Sequence, residues 1–161
     1  MTITHGLARR AMLGSAVLIA LTGVTMLGVS PAEAKVTGIT CTKLSGSTNT
    51  TLGTDKTKLT GCSGNTGGVG NTKGLITDAT SRVKWVNGKS TKFSVSYSSG
   101  SGCTQTGALT QVELGFVLAD TTGSTTVGAE VSATVCVVPS PTSAGVYKIS
   151  LLPGTKFIIS P

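Results

Sequence analysis

The stretch SRVKWVNGKSTKFSVSY, residues 81–97, is the most informative part of the chain about its fold. Its apolar residues, except Val86, fall at odd positions, and its basic residues and serines fall mostly at even ones. The apolar set is Val83, Trp85, Phe93, Val95 and Tyr97. Alternation with a period of two is typical of β-strands that bury one face. The stretch therefore predicts two antiparallel strands joined by a hairpin.

The turn of this hairpin contains Asn87 and Gly88, a pair typical of tight β-turns. A two-residue loop would place Val83 and Phe93 on opposite faces of the sheet. A three-residue loop, with Gly88 in the left-handed conformation, keeps them on the same face. We therefore predict the loop 86–88.

The same register places three basic residues, Arg82, Lys84 and Lys92, on one outer face. This set is a candidate binding patch for an anionic partner. The alternative is an ordinary solvated lysine face, which needs no ligand.

Similar alternation follows towards the end of the chain. Within 111–118, we expect Val112, Leu114, Phe116 and Leu118 to face the core. A longer run, 127–137, predicts a strand with a bend near Gly128. Residues 147–159 predict a final hairpin around Pro153 and Gly154.

These strands predict an all-β fold, an antiparallel β-sandwich with two disulfides. An immunoglobulin-like arrangement is one form of such a sandwich, although Trp85 precedes Cys103 and so is not enclosed by cysteines as in antibodies. We expect one domain over 35–161. Within it, 35–74 is rich in Thr, Gly and Ser and predicts loops, and 75–161 predicts regular strands.

Residues 1–34 are typical of a cleaved secretory signal peptide. Arg9 and Arg10 precede a long apolar stretch, and Ala32-Glu33-Ala34 is a small-x-small cleavage site. The alternative is an uncleaved membrane anchor. Cleavage would leave 161 − 34 = 127 residues with no transmembrane span, either secreted or in the cell envelope.

Four cysteines follow the predicted cleavage site: Cys41, Cys62, Cys103 and Cys136. An even number in a small exported domain indicates two disulfides. Three pairings are possible, and we favour Cys41 with Cys62 and Cys103 with Cys136, since each bridge then closes a local loop. A zinc site is disfavoured because the C-x-x-C spacing is absent.

Composition narrows the chemistry of the predicted mature chain. The only histidine, His5, lies in the signal segment, which argues against Ser-His-Asp catalysis and imidazole metal sites. Removing Arg9, Arg10 and Glu33 leaves 13 − 2 = 11 basic and 6 − 1 = 5 acidic residues, a net charge of +6. We expect no metal, no cofactor and no nucleic-acid partner.

Three segments of the chain resemble those of a known group of proteins. They are Cys41-Thr42-Lys43-Leu44-Ser45-Gly46, Leu59-Thr60-Gly61-Cys62 and Val131-Ser132-Ala133-Thr134-Val135-Cys136. Together they resemble a group of small uncharacterised exported proteins of actinobacteria. The resemblance carries no activity and no catalytic residue onto this chain.

Three function classes follow. The first is a non-enzymatic exported protein that binds an extracellular polymer, such as an anionic polymer of the cell envelope, or an extracellular protein. The second is a small-ligand carrier that uses the cleft between sheets near Trp85 or Tyr97. The third is a glycoside hydrolase whose Glu113 and Glu130 lie on outward faces of neighbouring strands.

Overall fold

The computed structural model describes residues 35–49, 56–74 and 80–161. The predicted signal peptide, residues 1–34, lies outside these ranges. Nine strands form one antiparallel sheet within them. They are β1 (Ile39–Asn49), β2 (Lys56–Cys62), β3 (Val69–Thr72), β4 (Thr80–Trp85), β5 (Ser90–Ser99), β6 (Leu109–Asp120), β7 (Glu130–Pro139), β8 (Val146–Leu151) and β9 (Phe157–Ile159).

The sheet closes on itself as an eight-stranded β-barrel, so the predicted β-sandwich and its immunoglobulin-like form are wrong. Strands β2 to β8 follow one another around the sheet, and β1 closes it by pairing with β2 on one side and with β8 and β9 on the other. Both hydrogen-bonding edges of β1 are thereby used. Alternation predicts which face of a strand is buried, but a sandwich and a barrel bury the same alternate residues.

β8 and β9 together supply the eighth strand, so the predicted final hairpin between them is also wrong. Both are antiparallel to β1 and to β7. They therefore run in the same direction, one after the other, with residues 152–156 between them. Thr155 anchors this interruption by donating from Oγ1 to the carbonyl oxygens of Thr134 (3.3 Å) and Leu152 (2.7 Å).

The barrel interior holds the hydrophobic core. Phe93 and Phe157 are fully buried, and their ring centroids lie 6.1 Å apart. Trp85 is also buried, and its Nε1 donates to Thr91 Oγ1 at 2.9 Å. Thr91 Oγ1 in turn donates to Asp120 Oδ1 at 2.7 Å. These two hydrogen bonds satisfy the indole N–H inside the barrel.

The β4–β5 hairpin has the predicted three-residue loop. Trp85 N donates to the Lys89 carbonyl oxygen at 2.9 Å, which leaves 86–88 as the loop, and Gly88 has φ 82°. Val83 and Phe93 are both fully buried, as the odd loop length requires.

The side chains of β6 face the opposite way from the sequence prediction: those expected in the core point outward. Leu114 and Phe116 are 47% and 53% exposed, whereas Val117 is buried. The neighbouring strands explain the inversion, because the inward positions on β5 and β7 are strongly apolar. Register pairs Phe93 with Val117 and Val95 with Gly115. A strand in the middle of a sheet must share the facing of its neighbours, so β6 leaves its larger apolar residues outside.

Both disulfides are present in the favoured pairing, Cys41–Cys62 and Cys103–Cys136. The first joins residues that face each other on β1 and β2, and the second ties the β5–β6 connection to β7. Two disulfides are compatible with an oxidising, extracellular location. The segment 35–74, predicted to be rich in loops, contributes β1, β2 and β3.

Candidate functional site

The outer surface of β2 to β5 carries a concentration of positive charge that we call the cationic face. It consists of Lys56, Lys58, Lys73, Arg82, Lys84 and Lys92. All of these side chains are exposed except that of Lys92, which is half-buried. The face thus combines the three residues predicted from sequence with three lysines from β2 and the end of β3.

Strand register arranges these cations in two cross-strand rows. The first row runs Ser45, Lys58, Asn71, Lys84 and Ser90, each residue opposite the next. Here the two cations alternate with neutral polar side chains.

The second row is more densely charged. Arg82 lies directly opposite Lys92, and Lys56 lies opposite Ser47. Lys73 follows Thr72, which faces Thr57, so continuing that register by one residue places Lys73 beside Lys56. Asn71 faces Lys84, so continuing that register by two residues places Lys73 beside Arg82. The order in this row is therefore Ser47, Lys56, Lys73, Arg82 and Lys92.

A cleft of about 630 Å³ is lined by members of both rows. Its described lining consists of Ser45, Lys56, Thr57, Lys58, Asn71, Thr72, Lys73, Thr80, Arg82 and Lys84. Five of these ten residues are cationic, and the others offer hydroxyl or amide groups. No aromatic side chain is among them, so the described lining favours recognition by charge and hydrogen bonds over stacking on sugar rings or bases.

The described carboxylates lie away from this face. Glu113 is buried inside the barrel, and Glu130 begins β7 on the far side of β6. Asp120 accepts from the backbone N–H groups of Thr122 (2.9 Å) and Gly123 (2.8 Å) and so stabilises the turn after β6. The other two acids of the predicted mature chain, Asp55 and Asp78, lie outside the described residues.

Like charges that face each other across two strands destabilise the pair. On the cationic face Arg82 and Lys92 form such a pair, with Lys84 two residues further along β4. The continued register of β2 with β3 adds Lys56 beside Lys73. This arrangement does not benefit folding. Because functional sites are where chains depart from the rules of stable packing, these pairs make the cationic face a candidate functional site.

The positions predicted for a small-ligand site do not form one cleft. The described strands make a single closed sheet, so the expected cleft between two sheets is absent from this part of the chain. Trp85 fills the interior next to Gly70: a Cβ on Gly70 would meet the indole ring at 2.5 Å. Tyr97 is 43% exposed and lines a separate groove with Leu109 and Gln111.

Glu113 and Glu130 are not brought together on one surface. Glu113 is 2% exposed, so its expected outward position is wrong, whereas Glu130 is exposed on the outer side of β7. Glu113 faces Ala133, and Glu130 faces Phe116 on the opposite side of the sheet. The sheet therefore separates the two carboxyl groups.

A second surface feature is an apolar area on the outside of β6 and β9. Its exposed residues are Leu114, Phe116, Leu118 and Ile158. Ser132 faces both Leu114 and Ile158, so these two side chains belong to the same cross-strand row. This area follows directly from the inversion of β6.

Within 35–49, 56–74 and 80–161, no three His, Cys, Asp or Glu side chains are grouped as a metal site requires. The same part of the chain contains no helix long and apolar enough to cross a membrane.

Sequence analysis missed Lys56, Lys58 and Lys73. The sequence did contain a signal for Lys56 and Lys58, because the β2 sequence Lys-Thr-Lys-Leu alternates like β4, with Thr57 and Leu59 buried.

Comparison of the chain with protein-family models, with curated proteins and with solved structures finds no match.

Proposed function

We propose that this protein is an exported, non-enzymatic binding protein whose cationic face holds an anionic polymer outside the cell. The observation that carries the proposal is the placement of Arg82 opposite Lys92 within a surface that gathers six of the eleven basic residues of 35–161. A random solvated surface would disperse these charges among acids. Here the described acids are inside the barrel or on other strands.

Several features support a polymer rather than a compact ligand. The cations extend over four strands, about 14 Å from β2 to β5 at the usual strand spacing. A single small anion would contact only two or three of them. Exposed ion pairs are individually weak, so useful affinity requires many simultaneous contacts along one ligand.

The location of this activity rests on two observations. The disulfides are compatible with an oxidising compartment, and residues 1–34 have the sequence of a secretory signal. We therefore propose that the protein acts in the cell envelope or the surrounding medium.

The experiment is a capture assay on two immobilised linear polyanions, polygalacturonate and inorganic polyphosphate. We expect capture of the purified protein at low salt and release at high salt, because exposed charges are screened beyond about 10 Å at 0.1 M salt. The triple variant Arg82→Gln/Lys84→Gln/Lys92→Gln should lose most of this capture.

The matched control removes three other lysines, Lys35, Lys43 and Lys156, and so has the same net charge as the triple variant. It should retain most of the binding. If neither polymer captures the protein at low salt, or if both variants lose capture equally, the proposed binding site is wrong. Tryptophan emission from Trp85 monitors the folding of each variant.

A further inference from the structure

The cations of the cationic face can be followed in two directions, along a strand and across the strands. Along a strand, cations recur at every second residue, about 6.8 Å apart, and the series ends after two. On β2 these are Lys56 and Lys58, after which the next outward residue is Thr60. On β4 they are Arg82 and Lys84, followed by Val86 in the hairpin loop.

Across the strands, the second row provides a longer uninterrupted line. Lys56, Arg82 and Lys92 lie on β2, β4 and β5, and Lys73 directly follows β3. At the usual spacing of neighbouring strands, a cation occurs about every 4.8 Å along this row. Beyond Lys56, Ser47 is neutral, and Lys148 faces Ser47 on β8. The longest line of positive charge on the described surface therefore crosses the strands and follows the curvature of the barrel.

We infer that the preferred ligand is a flexible linear polyanion with an anionic group on every repeating unit, which lies across β2 to β5 along the second row. This inference rests on the proposed function and adds the orientation and charge spacing of the polymer. A polymer with closely spaced anions can pair with successive cations of the row. A polymer with anions spaced twice as far apart meets only alternate ones.

Flexibility is required because the row is not straight. β2 to β5 are four of the eight strands of a closed barrel, so a ligand that contacts all four must bend around it. The neutral groups of the first row, Asn71 and Ser90, lie alongside and can donate hydrogen bonds to a ligand in this position. A stiff rod would touch only part of the row.

The test compares two linear carboxylate polysaccharides of matched carboxylate number. Polygalacturonate has one carboxylate on every sugar, and hyaluronan has one on every second sugar. We expect the protein to bind polygalacturonate at least about tenfold more tightly at low salt, since more ion pairs form at once.

Two double variants that lose the same amount of charge test whether the second row determines the preference for polygalacturonate. Arg82→Gln/Lys92→Gln interrupts the second row and should reduce the preference to within about threefold. Lys58→Gln/Lys84→Gln removes the cations of the first row and should weaken binding to both polymers while keeping the preference.

Equal affinity of the unmodified protein for both polymers would overturn the charge-spacing inference and leave the proposed function standing. Loss of preference in both variants to the same degree would overturn the assignment to the second row. If the protein binds neither polysaccharide and also fails to bind inorganic polyphosphate, both the proposed function and this inference are overturned.

Discussion

Arg82 on β4 lies directly opposite Lys92 on β5, so two positive side chains face each other on the outer surface of the barrel. Their backbones are held in this register by the buried residues Val83 and Phe93 and by the three-residue loop 86–88. The repulsion is therefore imposed by the packing of the interior. It can be relieved by salt or by an anionic ligand.

The first prediction concerns the energy of this pair. Lys92→Met removes the charge but keeps a side chain of similar length. We expect it to raise the free energy of unfolding by roughly 0.2–1 kcal/mol at low salt, with the gain shrinking at high salt. Denaturant unfolding at two salt concentrations measures this. A variant that is less stable than the parent at low salt would contradict the repulsion.

The second prediction tests the inversion of β6. Phe93→Ala, deep in the barrel, should cost about 3–5 kcal/mol of unfolding free energy. Phe116→Ala should cost less than about 1 kcal/mol, since that ring is 53% exposed. Equal costs for the two substitutions would show that Phe116 belongs to the core, as its sequence pattern suggests.

The third prediction concerns the packing of Trp85 on Gly70. In Gly70→Ala, the new Cβ would lie 2.5 Å from the indole ring, so the ring must move. We expect a loss of about 1–3 kcal/mol of stability and a shift in tryptophan emission. Trp85 is the single tryptophan of the chain, so the signal has one source.

Gly88→Ala is the control for that experiment. Gly88 has φ 82°, and a Cβ added there would meet no atom within 4 Å. Its substitution should cost about 1 kcal/mol through backbone strain alone and leave the emission of Trp85 unchanged. A matching emission shift in both variants would contradict a direct contact between Gly70 and Trp85.

The fourth prediction concerns the Cys103–Cys136 disulfide. The double variant Cys103→Ser/Cys136→Ser opens a loop with a sequence separation of 33 residues. We expect a loss of about 3–4 kcal/mol on the loop-entropy model. Equilibrium unfolding of the oxidised parent and the variant measures the difference, and a loss below about 1 kcal/mol would show that β7 and the β5–β6 connection hold together without the bridge.

Local features of this fold can be predicted from sequence because they depend on residues close together in the chain. The β4–β5 loop follows from the parity of Val83 and Phe93 about Gly88. The disulfide pairing is the one favoured among three possible pairings, because each bridge closes a local loop. The outward placement of Arg82, Lys84 and Lys92 follows from alternation within the two strands.

Features that depend on distant pairing cannot be predicted in the same way. Closure of the barrel requires β1 to pair with both β2 and β8, and alternation within β1 does not indicate its partners. The orientation of β6 is determined by the apolar positions of β5 and β7. Lys56 and Lys73 join the second row only through the register of β2 with β3.

The central claim is that the cationic face binds a polyanion by direct charge pairing. The most direct measurement is the affinity for polygalacturonate as a function of salt, for the parent protein and for Arg82→Gln/Lys92→Gln. We predict a linear fall of log affinity with log salt, and a slope reduced by roughly one unit for each cation removed. An affinity that does not change with salt, or an identical slope in parent and variant, would contradict the claim.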